Sequence, residues 1–452
     1  MNNQHRKILN KVRPIYDKPF INAGKFPATN MFIFMIYLKN ILNDVIGADN
    51  DTFKSYAKVI AQIKSNDAID IIDDLKVVVH GAAEFYNRKE LDTIPLGIDN
   101  EAINAAIQDT DVNELCEYIL GRFKSYKDNG FNDHEYFMDE MYFLFDNLSS
   151  MGGTIGRNKE FVSLHYSVTE LVGKILNVRD DHVYADLVSG AGVSTFAVCS
   201  KANPSMYLAD NASDQIILSE MLLAAFGKLK GEFVSGDSLF KSKIKEDFAD
   251  RIFMDPPMRI SAQDSKTVKE CDGVVLKDST ASAIVRAYKA LKKNGRAVVA
   301  VPGFALFGSQ NSMDDIRSLL IDNHAVEAVI TLPTCWSTFF IPTHLLVIST
   351  KDNESVRFID ILNDDKYTIK NGLTDEGIDF VYEMYKATDL SDYSKFAVDV
   401  SYQNINKETL VPAAYFEDEN RSEYSRKEID QKLSELYAGL RKVIDELSVA
   451  GE

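Results

Sequence analysis

The segment DRIFMDPPMRIS (residues 250–261) joins an apolar run to an aspartate and two prolines, Asp255-Pro256-Pro257. Neither proline can donate to a β-ladder, so a buried strand ends here with an aspartate at its tip in a stiff turn. A carboxylate oxygen of Asp255 and the carbonyl of Pro256 can both accept hydrogen bonds from an amino group. Holding such a nitrogen with its lone pair aimed at an electrophilic carbon is most of what transfer to an amine requires. Three further sites stand upstream. Gly190 and Gly192, in ADLVSGAGVSTFAV (185–198), sit where a strand turns into a helix and let the backbone approach a ligand closely. Asp210 follows Gly190 by 20 residues, the position from which an acid reaches ribose hydroxyls. Asp237, in SGDSL, ends the next apolar run and can meet an adenine amino group.

The elements that must position these residues follow from hydropathy. Short apolar runs at 182–188, 205–210, 231–237, 250–255, 296–302 and 326–333 alternate with helical stretches at 169–178, 212–228, 280–293 and 312–323. Strands alternating with helices imply βαβ units and a mainly parallel sheet, whose carboxyl ends form the ligand crevice. The run at 343–350 reads as one further strand. Residues 1–150 read as a helical N-terminal domain, with apolar spacings of three and four at 54–64, 68–80 and 112–125. The glycine-rich stretch 149–160 reads as a linker, and 160–385 as the α/β domain. From 386 the chain reads as loop-like and then helical. Ser425 to Glu428 forms a capping box, and Ile429, Leu433, Leu436, Leu440, Val443 and Leu447 make a short coiled-coil-like seam. That seam suits docking on another subunit or on the chain's own helices; an ordinary amphipathic surface helix fits it as well.

Composition narrows the function. With 50 Lys+Arg against 68 Asp+Glu the formal charge is −18, which disfavours a free-standing nucleic-acid binder and calls for a more basic partner if DNA is the substrate. Cys116, Cys199, Cys271 and Cys335 lie far apart without a CxxC pair, arguing against a metal ribbon or disulfide framework and fitting a reducing cytoplasm. The run MFIFMIYL (31–38) is far short of the ~20 residues that span a bilayer and lacks a signal-peptide layout. No GxxxxGK[ST] occurs, and Thr195 stands where a dinucleotide turn has its third glycine. An adenosine without phosphates, such as S-adenosyl-L-methionine, suits the turn better.

These residues resemble the N6-adenine DNA methyltransferases, and specifically the modification subunit of type I restriction–modification systems, over about two thirds of the chain. HYSVTELVGKIL (165–176) resembles the family's helix entry at the methionine end of the cofactor, DLVSGAGVST (186–195) its glycine loop, LADN (208–211) its ribose contact and GDSL (236–239) its adenine contact. FADRIFMDPPM (248–258) resembles the Asn-Pro-Pro-aromatic catalytic motif, and residues 291–333 and 400–416 resemble downstream family blocks. The resemblance implies a Rossmann-like S-adenosylmethionine-dependent methyltransferase fold with helical N- and C-terminal parts. It implies cofactor contacts from Tyr166, Ser167, Asp186, Ser189, Gly190, Gly192, Asp210, Asp237 and Ser238. Asp255, Pro256 and Pro257 would form the catalytic tip, with Met258 at the base-stacking position. The implied activity is adenine-N6 methylation of a flipped base in DNA, at a site read by a separate specificity subunit, with a restriction or translocase subunit as a further partner.

The chain departs from the family pattern at several places. Asp255 stands for the usual Asn, Met258 for the aromatic, Ser167-Val168 for Thr-Pro, Leu187 for a proline, Ser189 for a cysteine and Val193 for a glycine. These leave a second reading open, a catalytically weakened or inactive methyltransferase-like scaffold in a defence or regulatory complex. A third is methylation of another amine, such as a protein glutamine.

Overall fold

The computed structural model describes residues 37, 50–65, 71–95, 164–240, 245–257, 270–271, 274–276, 278–309, 312–336, 341–362, 364–369 and 371–416. The helix expected at 112–125, the linker at 149–160, Met258 and the C-terminal heptads lie outside them. Residues from Tyr415 onward fall in a second compact unit, of which only Tyr415 and Phe416 are described.

Helices α1 (Asp51–Lys64) and α2 (Ile71–Tyr86) come first. In α2, Ile71, Leu75, Val78, Val79, Ala82 and Ala83 recur at helical spacing and are buried. Two polar ties join this region to the α/β domain: the Tyr86 hydroxyl donates to the Ala224 carbonyl (3.3 Å), and the Arg88 guanidinium donates to the Gly231 carbonyl (2.9 Å).

From Tyr166 on, strands and helices alternate. They run α3 (Tyr166–Leu176), β1 (Val183–Asp186), α4 (Val193–Val198), β2 (Ser205–Asp210), α5 (Ser213–Ala225), β3 (Gly231–Ser235) and β4 (Ala249–Met254). Next come α6 (Ser279–Ala290), β5 (Leu291–Val301), α7 (Phe304–Phe307), α8 (Met313–Asp322), β6 (Val326–Leu332), β7 (Thr343–Ser349), β8 (Ser355–Asp360), α9 (Asp375–Lys386) and β9 (Ala397–Ser401). Nine strands form one sheet in the order β9-β8-β6-β7-β5-β4-β1-β2-β3. β7 is antiparallel to both β5 and β6, and β9 is antiparallel to β8. The pairs β1–β2, β2–β3, β1–β4, β4–β5 and β6–β8 are parallel. The α/β fold with a mainly parallel sheet expected from the sequence is the fold found.

Central strands carry buried, mostly apolar runs because both faces are covered. Every residue of β7 is buried, as are Ile252, Phe253 and Met254 of β4 and Ala297 to Val301 of β5. Each buried Val, Leu, Ile, Phe or Met side chain among them contributes roughly 1.5–3 kcal/mol. Several elements differ from the hydropathy reading, among them β8 and α9, which it did not contain. The helix expected to reach 293 ends at Ala290, because Leu291 already pairs with Ala249 of β4. The stretch before the C-terminal helix, expected to be loop-like, contains β9, whose alternating burial suits a sheet edge.

The chain runs from β1 outward to β2 and β3, then returns to the other side of β1 for β4. The strand order therefore reverses between β1 and β4, which opens a crevice at their carboxyl ends. α3 is fixed with its N-terminus toward that edge. At its other end Arg251 Nε donates to the Leu176 carbonyl (2.6 Å) and Arg296 to the Ile175 carbonyl (3.0 Å), cations on the negative end of the helix. Arg296 is itself clamped by both carboxylate oxygens of Glu327, at 2.8 and 2.7 Å. No helix among the described residues is long and apolar enough to cross a membrane.

Candidate active site

The crevice begins where β1 ends. Asp186 Oδ1 accepts from the Val188 amide (3.0 Å) and Oδ2 from the Thr195 hydroxyl (3.4 Å), so a buried carboxyl shapes the loop from beneath. Burial pushes this carboxyl up to about 8; the charges of Asp210 and Asp255 act in the same direction. The loop is stitched to β2 by Ser189, whose amide (3.0 Å) and hydroxyl (3.4 Å) both donate to the Ala209 carbonyl.

The two glycines serve different ends. Gly190 has φ +52°, its amide donates to Asp210 Oδ2 (2.9 Å), and a Cβ built on it meets nothing within 4 Å. It borders open space, as close approach of a ligand requires. Gly192 has φ +78°, and a Cβ there would lie 2.7 Å from Ser219 Cβ on α5. It permits the packing of α4 against α5.

Asp210, at the tip of β2, accepts from the Gly190 amide through Oδ2 and from the Ala212 amide through Oδ1 (2.9 Å). Each oxygen keeps a further lone pair, the acceptor pair a vicinal diol can use. Asp237 follows β3; its Oδ1 accepts from the amides of Leu239 (3.2 Å) and Phe240 (2.8 Å). The Ser238 hydroxyl donates to the Leu187 carbonyl, tying this turn to the glycine loop. In the parallel register Ala185 pairs with Ile252, Asp186 with Leu208 and Asp210 with Ser235. The tips of β4, β1, β2 and β3 therefore lie side by side.

Asp255 stands just past β4, with Pro256 buried and Pro257 exposed. Desolvation pushes its carboxyl up to about 7, opposed by hydrogen bonds from the Trp336 indole and the Leu164 backbone. The indole Nε1 donates to Oδ1 at 3.1 Å. On the far side of the turn the Ser279 hydroxyl donates to the Pro257 carbonyl. Ser279 opens α6, whose N-cap Asp278 accepts from the Ala281 amide at 2.8 Å. The proline turn is thus gripped from two elements.

The entry to α3 completes the wall. Leu164 forms an antiparallel bridge with Trp336, and the His165 amide donates to the Cys335 carbonyl (2.8 Å). His165 Nδ1 lies 2.8 Å from the Ser167 hydroxyl and accepts from the Ser167 amide (3.3 Å). Ser167 Oγ also accepts from the Leu373 amide (2.9 Å). Tyr166 is partly buried, its ring tilted against that of His165 at 4.2 Å. Tyr166 and Ser167 stand at the entry to α3, and the hydroxyls of Ser167, Ser189 and Ser238 are engaged with the protein itself and build the walls.

Several residues of this site were not singled out from sequence. Trp336 and Leu164 act on Asp255, Thr195 on Asp186, and Ser279 on the proline turn. His344 lies at the same sheet edge because β7 runs antiparallel; its Nδ1 is 3.0 Å from the Thr331 hydroxyl. Burial pushes its imidazole down to about 4, so it is neutral near pH 7. The one signal available was the single tryptophan of the chain, three residues past the apolar run 326–333.

The comparisons agree with this architecture. A protein-family model, N-6 DNA Methylase, matches residues 166–423. No curated protein matches the sequence significantly. Among solved structures, the methyltransferase subunit of the type I restriction-modification system from Streptococcus thermophilus aligns over 90% of this chain and 100% of its own, with 16% identity and TM-score 0.58. A chain from a structural study of type I restriction–modification complex assembly and conformational transition aligns over 99% of this chain and 98% of its own, at 12% identity and TM-score 0.58. At such identities the likeness is one of fold. The family match begins at the first residue of α3, runs through the glycine loop and the Asp-Pro-Pro tip, and covers more than half of the 452 residues: the chain belongs to the N-6 DNA methylase family.

Proposed function

We propose that this chain is the modification subunit of a type I restriction–modification system. It transfers a methyl group from S-adenosylmethionine to N6 of an adenine flipped out of DNA, at a site read by a separate specificity subunit. The observation that carries the reading is Asp255, a carboxylate at the tip of β4 beside the crevice bordered by Gly190 and Asp210.

The crevice fits the cofactor. Gly190 borders open space, and Asp210 keeps lone pairs for ribose hydroxyls. Asp237 is the acceptor assigned to the adenine amine and Tyr166 the residue assigned to the methionine end. The bound cofactor supplies a methyl group on a sulfonium, an electrophilic carbon with a good leaving group. Asp255 and the Pro256 carbonyl accept from the two N–H bonds of the target amine and aim its lone pair. A carboxyl held near 7 can also take the proton that the methylated nitrogen sheds. Met258 is assigned the face of the flipped base, where a thioether packs more softly than an aromatic ring.

The charge of −18 favours DNA being held largely by a more basic partner, and the heptads at 429–447 are assigned to docking on it. A restriction or translocase subunit would join the same assembly in the cytoplasm. The test is incubation of the purified complex with labelled cofactor and DNA carrying the recognition sequence. Label should enter adenine, and Asp255→Ala should abolish transfer with cofactor affinity nearly unchanged. Absence of calorimetric binding of S-adenosylmethionine would instead favour the scaffold reading, to which the altered loop residues Leu187 and Val193 point.

A further inference from the structure

Two separate segments converge on one carboxylate. Trp336 is the only tryptophan in the chain and is 1% exposed. Its indole N–H donates to Asp255 Oδ1, and its backbone bridges Leu164, whose own backbone also hydrogen-bonds the Asp255 carboxylate. The loop that carries it is fixed from outside. The Cys335 carbonyl accepts from the His165 amide, and the Cys335 amide donates to the Thr343 hydroxyl (3.0 Å) at the start of β7. The indole is therefore set in place by the fold and has little freedom to adapt to whatever stands at position 255.

An indole N–H is a donor and nothing else. Whatever faces it must present an acceptor, so the Oδ1 lone pair that meets the indole cannot carry a proton. A carboxylate satisfies this and still has lone pairs to offer an incoming amine. Asparagine, the residue usual at this position in the resembling family, does not satisfy it equally. Its single oxygen has two lone pairs, which the indole and the Leu164 amide together take up, and its NH2 can only donate, so no acceptor is left for the amine. Protonated Asp255 is weakened in a parallel way, because the proton takes one of the lone pairs not already held by the indole or the Leu164 amide. Those are the lone pairs left for the substrate.

We propose that Trp336 is the positioning residue for Asp255: its donor-only indole fixes the carboxylate's orientation and makes aspartate, rather than asparagine, the residue that can accept an amine at this tip. Position 336 and position 255 are then a matched pair. The catalytic meaning of the pair rests on the methyltransferase reading; the pairing itself does not.

Other titratable groups surround the pair. The carboxyl of Asp186, at the tip of β1, interacts with both Asp255 and Asp210, and burial pushes it up to about 8. His165 lies beside Leu164. Burial pushes the Cys335 thiol up to about 12 and the His344 imidazole down to about 4, so neither changes charge between pH 5 and 9. A probe of Asp255 must therefore be checked against a variant in which only Asp255 is silenced.

The lone tryptophan is that probe. In the full chain, without cofactor or DNA, the emission of Trp336 followed from pH 5 to 9 should show a transition near 7, as the indole's partner changes from carboxylic acid to carboxylate. In Asp255→Asn that transition should vanish. Identical curves in the two proteins would overturn the pairing, whatever the chain's activity. The second arm uses the assembled complex, labelled S-adenosylmethionine and target DNA. Asp255→Asn should lose on the order of 10–100-fold in turnover, the change that corresponds to one hydrogen bond to a charged group. Adding Trp336→Phe should recover most of that loss, because the asparagine oxygen is then free to turn to the amine. Trp336→Phe alone should move the acid limb of the rate profile to higher pH, since a donor that favours the carboxylate is gone. A double variant no better than Asp255→Asn, with cofactor binding intact in both, would overturn the positioning role. A complex that binds no cofactor would remove the methyltransferase reading and leave the emission titration to decide the pair.

Discussion

Gly190 and Gly192 are two residues apart in one loop, both in the left-handed region, and should respond to alanine differently. A left-handed conformation costs a non-glycine residue about 1–2 kcal/mol. At Gly192 the new Cβ would also lie 2.7 Å from Ser219 Cβ, inside a buried helix contact. Overpacking of that kind adds about 1–3 kcal/mol, so Gly192→Ala should lose roughly 2–5 kcal/mol of stability. At Gly190 there is no atom within 4 Å, so Gly190→Ala should lose only the backbone strain, about 1–2 kcal/mol. Its methyl group, however, enters the space assigned to the cofactor. Affinity for S-adenosylmethionine should fall on the order of tenfold or more, since 1.4 kcal/mol of lost contact is already tenfold. The assay pairs denaturant unfolding with calorimetry on the same preparations. Adding Ser219→Gly should return the steric part of the Gly192→Ala loss, measured relative to Ser219→Gly alone. Equal stability losses at the two positions, or wild-type cofactor affinity in Gly190→Ala, would refute the division of labour.

Three further outcomes are expected. Asp210→Asn should weaken cofactor binding, because one amide hydrogen must then face the Gly190 or Ala212 N–H; lost hydrogen bonds of this kind cost about 1–3 kcal/mol, read by calorimetry. Glu327→Gln should lower the unfolding midpoint by a loss of about 2–3 kcal/mol, since it weakens the clamp on the half-buried Arg296 that caps α3. Asp186 and Asp255 have folded-state pKa values raised above the ordinary 3.8, so the native chain binds more protons than the unfolded chain between about pH 4 and 8. Their contribution to stability is therefore present at low pH and is lost as pH rises through that window. Asp186→Asn should accordingly raise the melting temperature at pH 8 and leave it nearly unchanged at pH 4.

Local sequence determined the elements and their tips. Apolar runs interrupted by helices set most of the strands, because burial on both faces leaves a continuous hydrophobic signature. Gly190, Asp210 and Asp255 could be placed at strand ends from their immediate neighbours alone. The order of those strands was a different matter. That β1 lies between β2 and β4, that β7 inserts antiparallel, and that Ala397–Ser401 closes one edge depend on pairing between segments far apart in the chain. Hydropathy over a few residues carries no information about such pairing. The same limit applies within the site. Nothing near Ser167 says that its hydroxyl will be shared by His165 and Leu373 rather than offered to a ligand. Nothing near Asp255 says that an indole 81 residues away will claim one of its oxygens. Sequence showed which acid stands at the tip of β4; only the closed sheet decided what holds it, because a hydrogen bond across the fold exists only once both of its ends have been brought together.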